Sequence, residues 1–302
     1  MHAFILPKNH ISSSGAFASD YLALLKPRVM MLVLFTGAIG QVCAPTSGSV
    51  FLSFVGLLAL VLGAGASASF NMIWDQEIDR LMSRTATRPI PAGRLSVQSA
   101  TLFGSLIALF SLVLMGLACN LQAALWLLGA MVFYGYIYTC LLKRRTPQNI
   151  VIGGLSGALA PVIGWVSVTG SALSLLPWIL CGIIFLWTPP HFWALAIVRA
   201  DDYGKAGIPM FPNVYGTRAT VRAMISYFLV MTFVAGLPFA LGLLGSLYGL
   251  SVCLLTLFWG RSMNQLRRAP EDSKSAWMVF KDSIVYLFGL FFGILLDRLL
   301  EI

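Results

Sequence analysis

Apolar residues arrive along this chain in nine long runs, broken by short polar stretches: Arg28 to Ala44, Val50 to Asn71, Gln98 to Ala118, Leu121 to Leu142, Asn149 to Val168, Leu175 to Val198, Ala223 to Leu241, Gly245 to Gly260 and Met278 to Leu296. Each is roughly 20 residues long, enough for an α-helix to cross about 30 Å of hydrocarbon. The eighth is the least sharply bounded, because Gly236, Pro238, Gly242 and Gly245 alone divide the apolar stretch from Ile225 to Trp259. The pattern predicts an all-α, polytopic membrane protein of about nine transmembrane helices. Composition agrees: 58% of residues are hydrophobic and 10% charged, against about 25% charged in an average soluble domain.

The polar breaks alternate in charge. Lys8, Lys26 and Arg28; Arg80, Arg84, Arg88 and Arg94; Lys143, Arg144 and Arg145; Arg199, Lys205, Arg218 and Arg222; and Arg261, Arg267, Arg268, Lys274 and Lys281 make up nineteen of the twenty basic residues. The breaks near Thr46, Asn120, Thr169 and Leu244 carry none, and only Arg298 follows the last run. The positive-inside rule then predicts a cytoplasmic N-terminus and, from the odd number of spans, an external C-terminus. The net charge of +9 reads as topology, with anionic membrane lipid as a partner and no nucleic acid. Residues 1–20, with a short apolar patch at Ala3 to Leu6 and a Ser-rich piece, read as a flexible tail without a signal-peptide core, and 21–302 as one domain. The five cysteines are scattered singly through apolar runs, which argues against a disulfide framework or a zinc site.

One break concentrates the chemistry. After the uncharged run from Val50 to Phe70 come Asn71, Asp75, Glu77 and Asp79, then Arg88-Pro-Ile-Pro-Ala-Gly-Arg94. On a helix, residues four apart share a face, so Asn71, Asp75 and Asp79 form one polar ridge and Glu77 points elsewhere. An ionised carboxylate at the edge of hydrocarbon demands compensation, which makes such a ridge a functional candidate. The two prolines and the glycine hold Arg88 and Arg94 in a restricted loop, and guanidinium groups bind phosphate oxygens in pairs. Tyr134, Tyr136 and Tyr138 read as packing or interfacial residues. Lys143-Arg144-Arg145 precedes a Gly-rich run, Gly153 to Trp165, suited to close helix packing or to leaving room for a bulky ligand. A second acidic group, Asp201 and Asp202, lies 126 residues after Asp75, again at the basic end of a span, as in a loose internal duplication.

Two carboxylate groups on one membrane face, ringed by arginine and lysine, suit Mg²⁺ and a diphosphate. Neutralising that diphosphate makes it a better leaving group, and an aromatic-lined cavity below, opening toward the cytoplasmic face, would take a hydrocarbon chain. These residues carry a resemblance. Asn71-x-x-x-Asp75-x-x-x-Asp79 with Arg88-Pro-x-Pro-x-Gly-Arg94 resembles the first signature of the intramembrane aromatic prenyltransferases. Lys143-Arg144-Arg145-Thr-x-Gln148-Asn149, Trp187-Thr-Pro-Pro-His191-Phe-Trp and Asp201-Asp202-Tyr203-x-x-x-Gly207-Ile-Pro-Met resemble the protohaem IX farnesyltransferase (haem O synthase) branch. The second cluster departs from the wider DxxxD pattern, since Lys205 stands four residues after Asp201, which leaves open which carboxylate there approaches a metal.

The resemblance implies transfer of farnesyl from farnesyl diphosphate to a vinyl group of haem B with addition of water, giving haem O, with a haem-modifying enzyme or terminal oxidase downstream. It implies that Asn71, Asp75, Asp79, Asp201 and Asp202 serve Mg²⁺ and catalysis, and that Arg88, Arg94, Lys143, Arg144, Asn149, Tyr203 and His191 bind substrate. Arg80 and Arg84 read as topology determinants or ion-pair partners. His191, inside a span, could ligate haem iron, pass a proton, or be hydrogen-bonded in a helix break at Pro189 and Pro190. The rival readings are a prenyltransferase for a quinone or other aromatic acceptor, and a transporter, whose charged groups belong nearer the midplane.

Overall fold

Backbone N–H and C=O groups in hydrocarbon have no water to bond, so long apolar runs close their hydrogen bonds internally as helices. The computed structural model describes residues 17–45 and 49–300, and every regular element among them is helical. In order these are α1 (Ala18–Leu24), α2 (Pro27–Val42), α3 (Val50–Trp74), α4 (Gln76–Leu81), α5 (Val97–Ala118), α6 (Leu121–Val132) running on as a π-helix over Phe133–Leu142, α7 (Asn149–Ala158), α8 (Ala160–Thr169), α9 (Leu175–Val198), α10 (Ala200–Lys205), α11 (Phe211–Tyr215), α12 (Thr217–Ala240), α13 (Ser246–Arg268) and α14 (Ser273–Leu300). Short polar side chains start some of them: Ser96 accepts from the Ser99 N–H at 3.0 Å before α5, and Asn120 from the Ala123 N–H at 2.8 Å before α6.

Seven helices are long and apolar enough to cross a membrane, and an eighth span forms if α1 and α2, bent by 51°, are joined. The remaining expected span, Gly245 to Gly260, is present as α13 but falls outside that set; the helix runs on through Arg261, Arg267 and Arg268. Length and apolarity therefore support eight of the nine spans expected. The tail expected over residues 1–20 lies outside the described residues up to residue 16, and Ala18, Ser19 and Asp20 are already part of α1. The break at Thr46 also lies outside them.

Surface patterning is that of a protein solvated by lipid. Leu102, Leu106, Leu109, Val113 and Leu117 of α5 are exposed at helical spacing, while Ala100, Gly104, Ser111 and Met115 turn inward. The two ends differ sharply. At one, neutral groups tie the helices together: the Gln41 amide donates to Ser167 Oγ at 2.9 Å, and Asn120 to the Val166 carbonyl at 2.8 Å. There too Asp297, near the end of α14, accepts from the Gly245 N–H at 2.6 Å, and Arg298 donates to the Leu243 carbonyl at 2.8 Å. The other end holds the acidic and basic groups described below.

The Gly-rich run mostly serves close approach. A Cβ on Gly164 would lie 2.0 Å from the Gly37 carbonyl oxygen, and one on Gly40 would lie 2.1 Å from that of Pro161, so α2 and α8 meet backbone to backbone. Gly153 abuts Tyr138 and Gly154 abuts Thr188, whereas Gly157 faces open space. Gly164→Val should therefore lower the unfolding midpoint in detergent by the equivalent of about 1–3 kcal/mol of overpacking or more. Gly157→Ala should leave it at or above the wild-type value, read by size-exclusion fluorescence after heating.

Candidate functional site

Helix α3 gives way at Asp75, which caps it, and α4 begins one residue later. The backbone ladder nonetheless continues, with Asp75 N–H on the Asn71 carbonyl at 3.0 Å and Asp79 N–H on the Asp75 carbonyl at 2.8 Å. The expected ridge is thereby preserved across the break. Asn71, Asp75 and Asp79 are 4%, 0% and 2% exposed, while Glu77 faces outward. Burying carboxylates costs several kcal/mol each unless cations and donors compensate, and here each has its own. Asn71 Nδ2 donates to Asp75 Oδ2 at 2.8 Å, and Lys143 forms a short ion pair with the same oxygen. Arg144 lies 3.9 Å from Asp75 Oδ1, and Arg88 donates to Asp79 Oδ2 at 2.6 Å.

The π-helix explains how Lys143 reaches this point. Its wider turn shows in i to i+5 contacts: Lys143 N–H on the Tyr138 carbonyl at 2.9 Å and Thr139 Oγ1 on the Tyr134 carbonyl at 2.7 Å. Thr139 then accepts from Asn71 Nδ2 at 3.2 Å, so the segment is pinned to α3 just before Lys143. The same segment stacks Tyr134 on Tyr138, 5.4 Å between ring centres.

Lys26 is the functional candidate the sequence reading missed, where it counts only among the basic residues that set the topology. It stands between α1 and α2 with φ of +50°, the one left-handed non-glycine backbone among the described residues. Its Nζ donates to Asn71 Oδ1 at 2.8 Å and lies 6.0 Å from the centre of the Tyr134 ring. A lysine directly before a proline that opens a span was the available signal, because that proline restricts the preceding backbone. Four cations thus surround two buried carboxylates, an excess suited to an anion.

The second acidic group sits against the first. Ser83, in the loop after α4, donates to Asp202 Oδ2 at 2.9 Å; Arg199 lies 4.0 Å from that oxygen. Burial holds the Tyr203 phenol above its ordinary pKa, and the nearby Arg84 guanidinium works against that rise. Asp201 is exposed. Asn149 donates to the Thr146 carbonyl at 2.7 Å and the Pro209 carbonyl at 3.4 Å, tying α7 to the chain after α10. Arg94, expected on a phosphate, instead pairs with Asp20 at 2.8 Å and with the Thr87 carbonyl at 3.0 Å, fastening the loop to α1. His191 does not sit in a helix break: α9 is continuous through Pro189 and Pro190, and the imidazole bonds Ser283 of α14.

Whether these residues suit Mg²⁺ can be judged from their unsatisfied atoms. Asp75 Oδ1 and Asn149 Oδ1 are buried acceptors without hydrogen-bond partners, each inviting a cation or donor. No three His, Cys, Asp or Glu side chains converge among the described residues. Mg²⁺ commonly takes one or two carboxylates, with phosphate oxygens and water completing its shell.

Residues 32–288 match the description "UbiA prenyltransferase family". The chain belongs to this family. A protoheme IX farnesyltransferase of Methylobacterium radiotolerans is 45% identical over 97% of this chain and 93% of its own. One from Acidiphilium cryptum is 47% identical over 94% and 92%. Among solved structures, one from work on digeranylgeranylglyceryl phosphate synthase in membranes superposes with a TM-score of 0.77 at 19% identity, covering 93% of this chain and 98% of that one. A UbiA homologue from Archaeoglobus fulgidus bound to DMAPP and Mg²⁺ gives 0.68 at 20%, covering 91% and 99%. At such identities these two establish the fold. Within this UbiA-family chain the geometry separates two arginines of one motif. Arg88→Ala should weaken binding of inorganic diphosphate about tenfold or more, the loss of a charge-assisted bond worth about 1.5–3 kcal/mol. Arg94→Ala should change it less than about threefold, both read by isothermal titration.

Proposed function

We propose that this chain transfers the farnesyl group of farnesyl diphosphate to a vinyl group of haem B, with water added, forming haem O and diphosphate. The observation that carries the reading is the cationic, carboxylate-bearing rim set over an apolar interior, in a chain nearly half identical along its whole length to proteins named protoheme IX farnesyltransferase.

Arg88, Lys143, Arg144 and Lys26 bind and orient the diphosphate, meeting the charge that grows on it as the allylic carbon–oxygen bond lengthens. Asp75, through its free Oδ1, and Asn71 and Asp79 beside it would hold Mg²⁺, with Asp202 or Asp201 serving from the second rim. Mg²⁺ when bound neutralises diphosphate oxygens and so helps the group depart. Departure of the diphosphate leaves an allylic cation on the farnesyl chain. The vinyl carbon attacks that cation, and water captures the positive charge left next to the porphyrin. His191, with Asn149 and Tyr203 nearer the rim, belongs to the substrate-binding set. It lies seven residues before Val198, the last residue of α9, about 10 Å of helix rise, a depth at which a porphyrin would sit below the rim. Of the nineteen basic residues among those described, all but Arg298 belong to the breaks on the rim side, which supports a cytoplasmic rim and N-terminus in a bacterial inner membrane, with the end of α14 outside.

Purified protein supplied with farnesyl diphosphate, haem B and Mg²⁺ should yield a more lipophilic haem, identified by extraction and mass analysis. Prenylation of an aromatic acid with haem left unchanged would overturn the haem assignment. Asp75→Asn should lower turnover by at least about a hundredfold, in the range seen when one charge-stabilising group is removed, without changing membrane insertion. Near-normal turnover in that variant would remove the metal role given to Asp75.

A further inference from the structure

Ser283, on α14, is 0% exposed and bonded through both its backbone and its side chain to α9. Its carbonyl accepts from Trp187 Nε1 at 2.8 Å. Its hydroxyl lies 2.6 Å from the Phe280 carbonyl oxygen and 2.6 Å from His191 Nδ1. A serine hydroxyl has one hydrogen, and a carbonyl oxygen can only accept. At 2.6 Å two oxygens without a hydrogen between them would repel, so that hydrogen goes to Phe280, and Ser283 Oγ must accept from His191 Nδ1–H. A neutral imidazole protonated at Nδ1 carries its lone pair on Nε2.

The surrounding rings hold that pair in one direction. Trp187 stacks on the imidazole at 4.2 Å and 19°, Phe280 stacks at 4.6 Å and 25°, and Phe192 meets it edge-on at 5.1 Å. No other hydrogen bond among the described residues reaches the ring, which keeps 8% exposure. An imidazole with stacked faces, one nitrogen fixed by a neighbour and the other bare is preorganised as a metal ligand, the fixed N–H setting which nitrogen binds.

We propose that Ser283 is a positioning residue for the acceptor: it fixes the His191 tautomer so that Nε2 ligates the iron of a bound metalloporphyrin. This rests on the haem reading above, but its first test does not. The chain has three histidines, so [¹⁵N]histidine labelling of the full protein in lipid gives three imidazole spin systems, and His191→Gln identifies the one to follow.

In the porphyrin-free protein, the His191 signal is expected as the Nδ1–H form. Adding zinc protoporphyrin IX should move the Nε2 resonance and leave Nδ1–H in place. Ser283→Ala should mix the tautomers and weaken zinc protoporphyrin binding about tenfold, Ser283→Thr should restore both, and inorganic diphosphate should bind all three proteins alike, reporting an intact fold. An Nε2–H signal in the wild type, or an Nε2 resonance indifferent to zinc protoporphyrin, overturns the proposal. Failure of the haem reading registers separately, as absence of farnesylated haem from the wild-type assay.

Discussion

A carboxylate with no exposure, at the end of a membrane helix, dictates much of this architecture. Asp75 is tolerable only because Asn71, Lys143 and Arg144 converge on it from three directions, and a buried charge stripped of such partners costs several kcal/mol. Each partner has a backbone feature that delivers it. Asn71 lies one helical turn earlier in α3, and the π-helix carries Lys143 and Arg144 across. Lys26, in its left-handed break, reaches Asn71 and so supports the ridge from below.

That arrangement is electrostatically unbalanced toward the positive, and the imbalance is what makes it a site. Structural ion pairs tend to match charge for charge, whereas here Asp75 Oδ1 and Asn149 Oδ1 are left as acceptors without donors while cations are in excess. In the proposed reading a divalent ion answers the first and a diphosphate the second. Ser83, Arg84 and Tyr203 hold the two acidic segments to the same end, so one ligand can meet both.

Deeper in the bundle the physics changes from charge to shape. The α9 surface that carries Trp187 and His191 is locked to α14 through Ser283, and the aromatic rings around them exclude water. The rim end handles an anion, while this wall offers a neutral, oriented imidazole between flat surfaces. In the proposed reading, a diphosphate and a planar macrocycle therefore meet different groups, the rim cations and the His191 wall, and do not compete for them.

The helical class, eight of the nine expected spans, the gathering of most charged residues at one end, and the ridge of Asn71, Asp75 and Asp79 were readable in the residues, because each follows from local periodicity and from the cost of charge in hydrocarbon. Family membership was legible too, since its motifs are short and contiguous. Long-range partners were not. Lys26 read only as one more topology-setting charge until Asn71 came within 2.8 Å of it, Arg94 looked like a phosphate ligand until Asp20 claimed it, and Ser283 carried no signal at all. Which cation meets which acid depends on how helices distant in sequence cross, on a 51° bend and on a π-helical segment. None of these has a fixed spacing along the chain, because they arise from packing between segments that periodicity describes only one at a time.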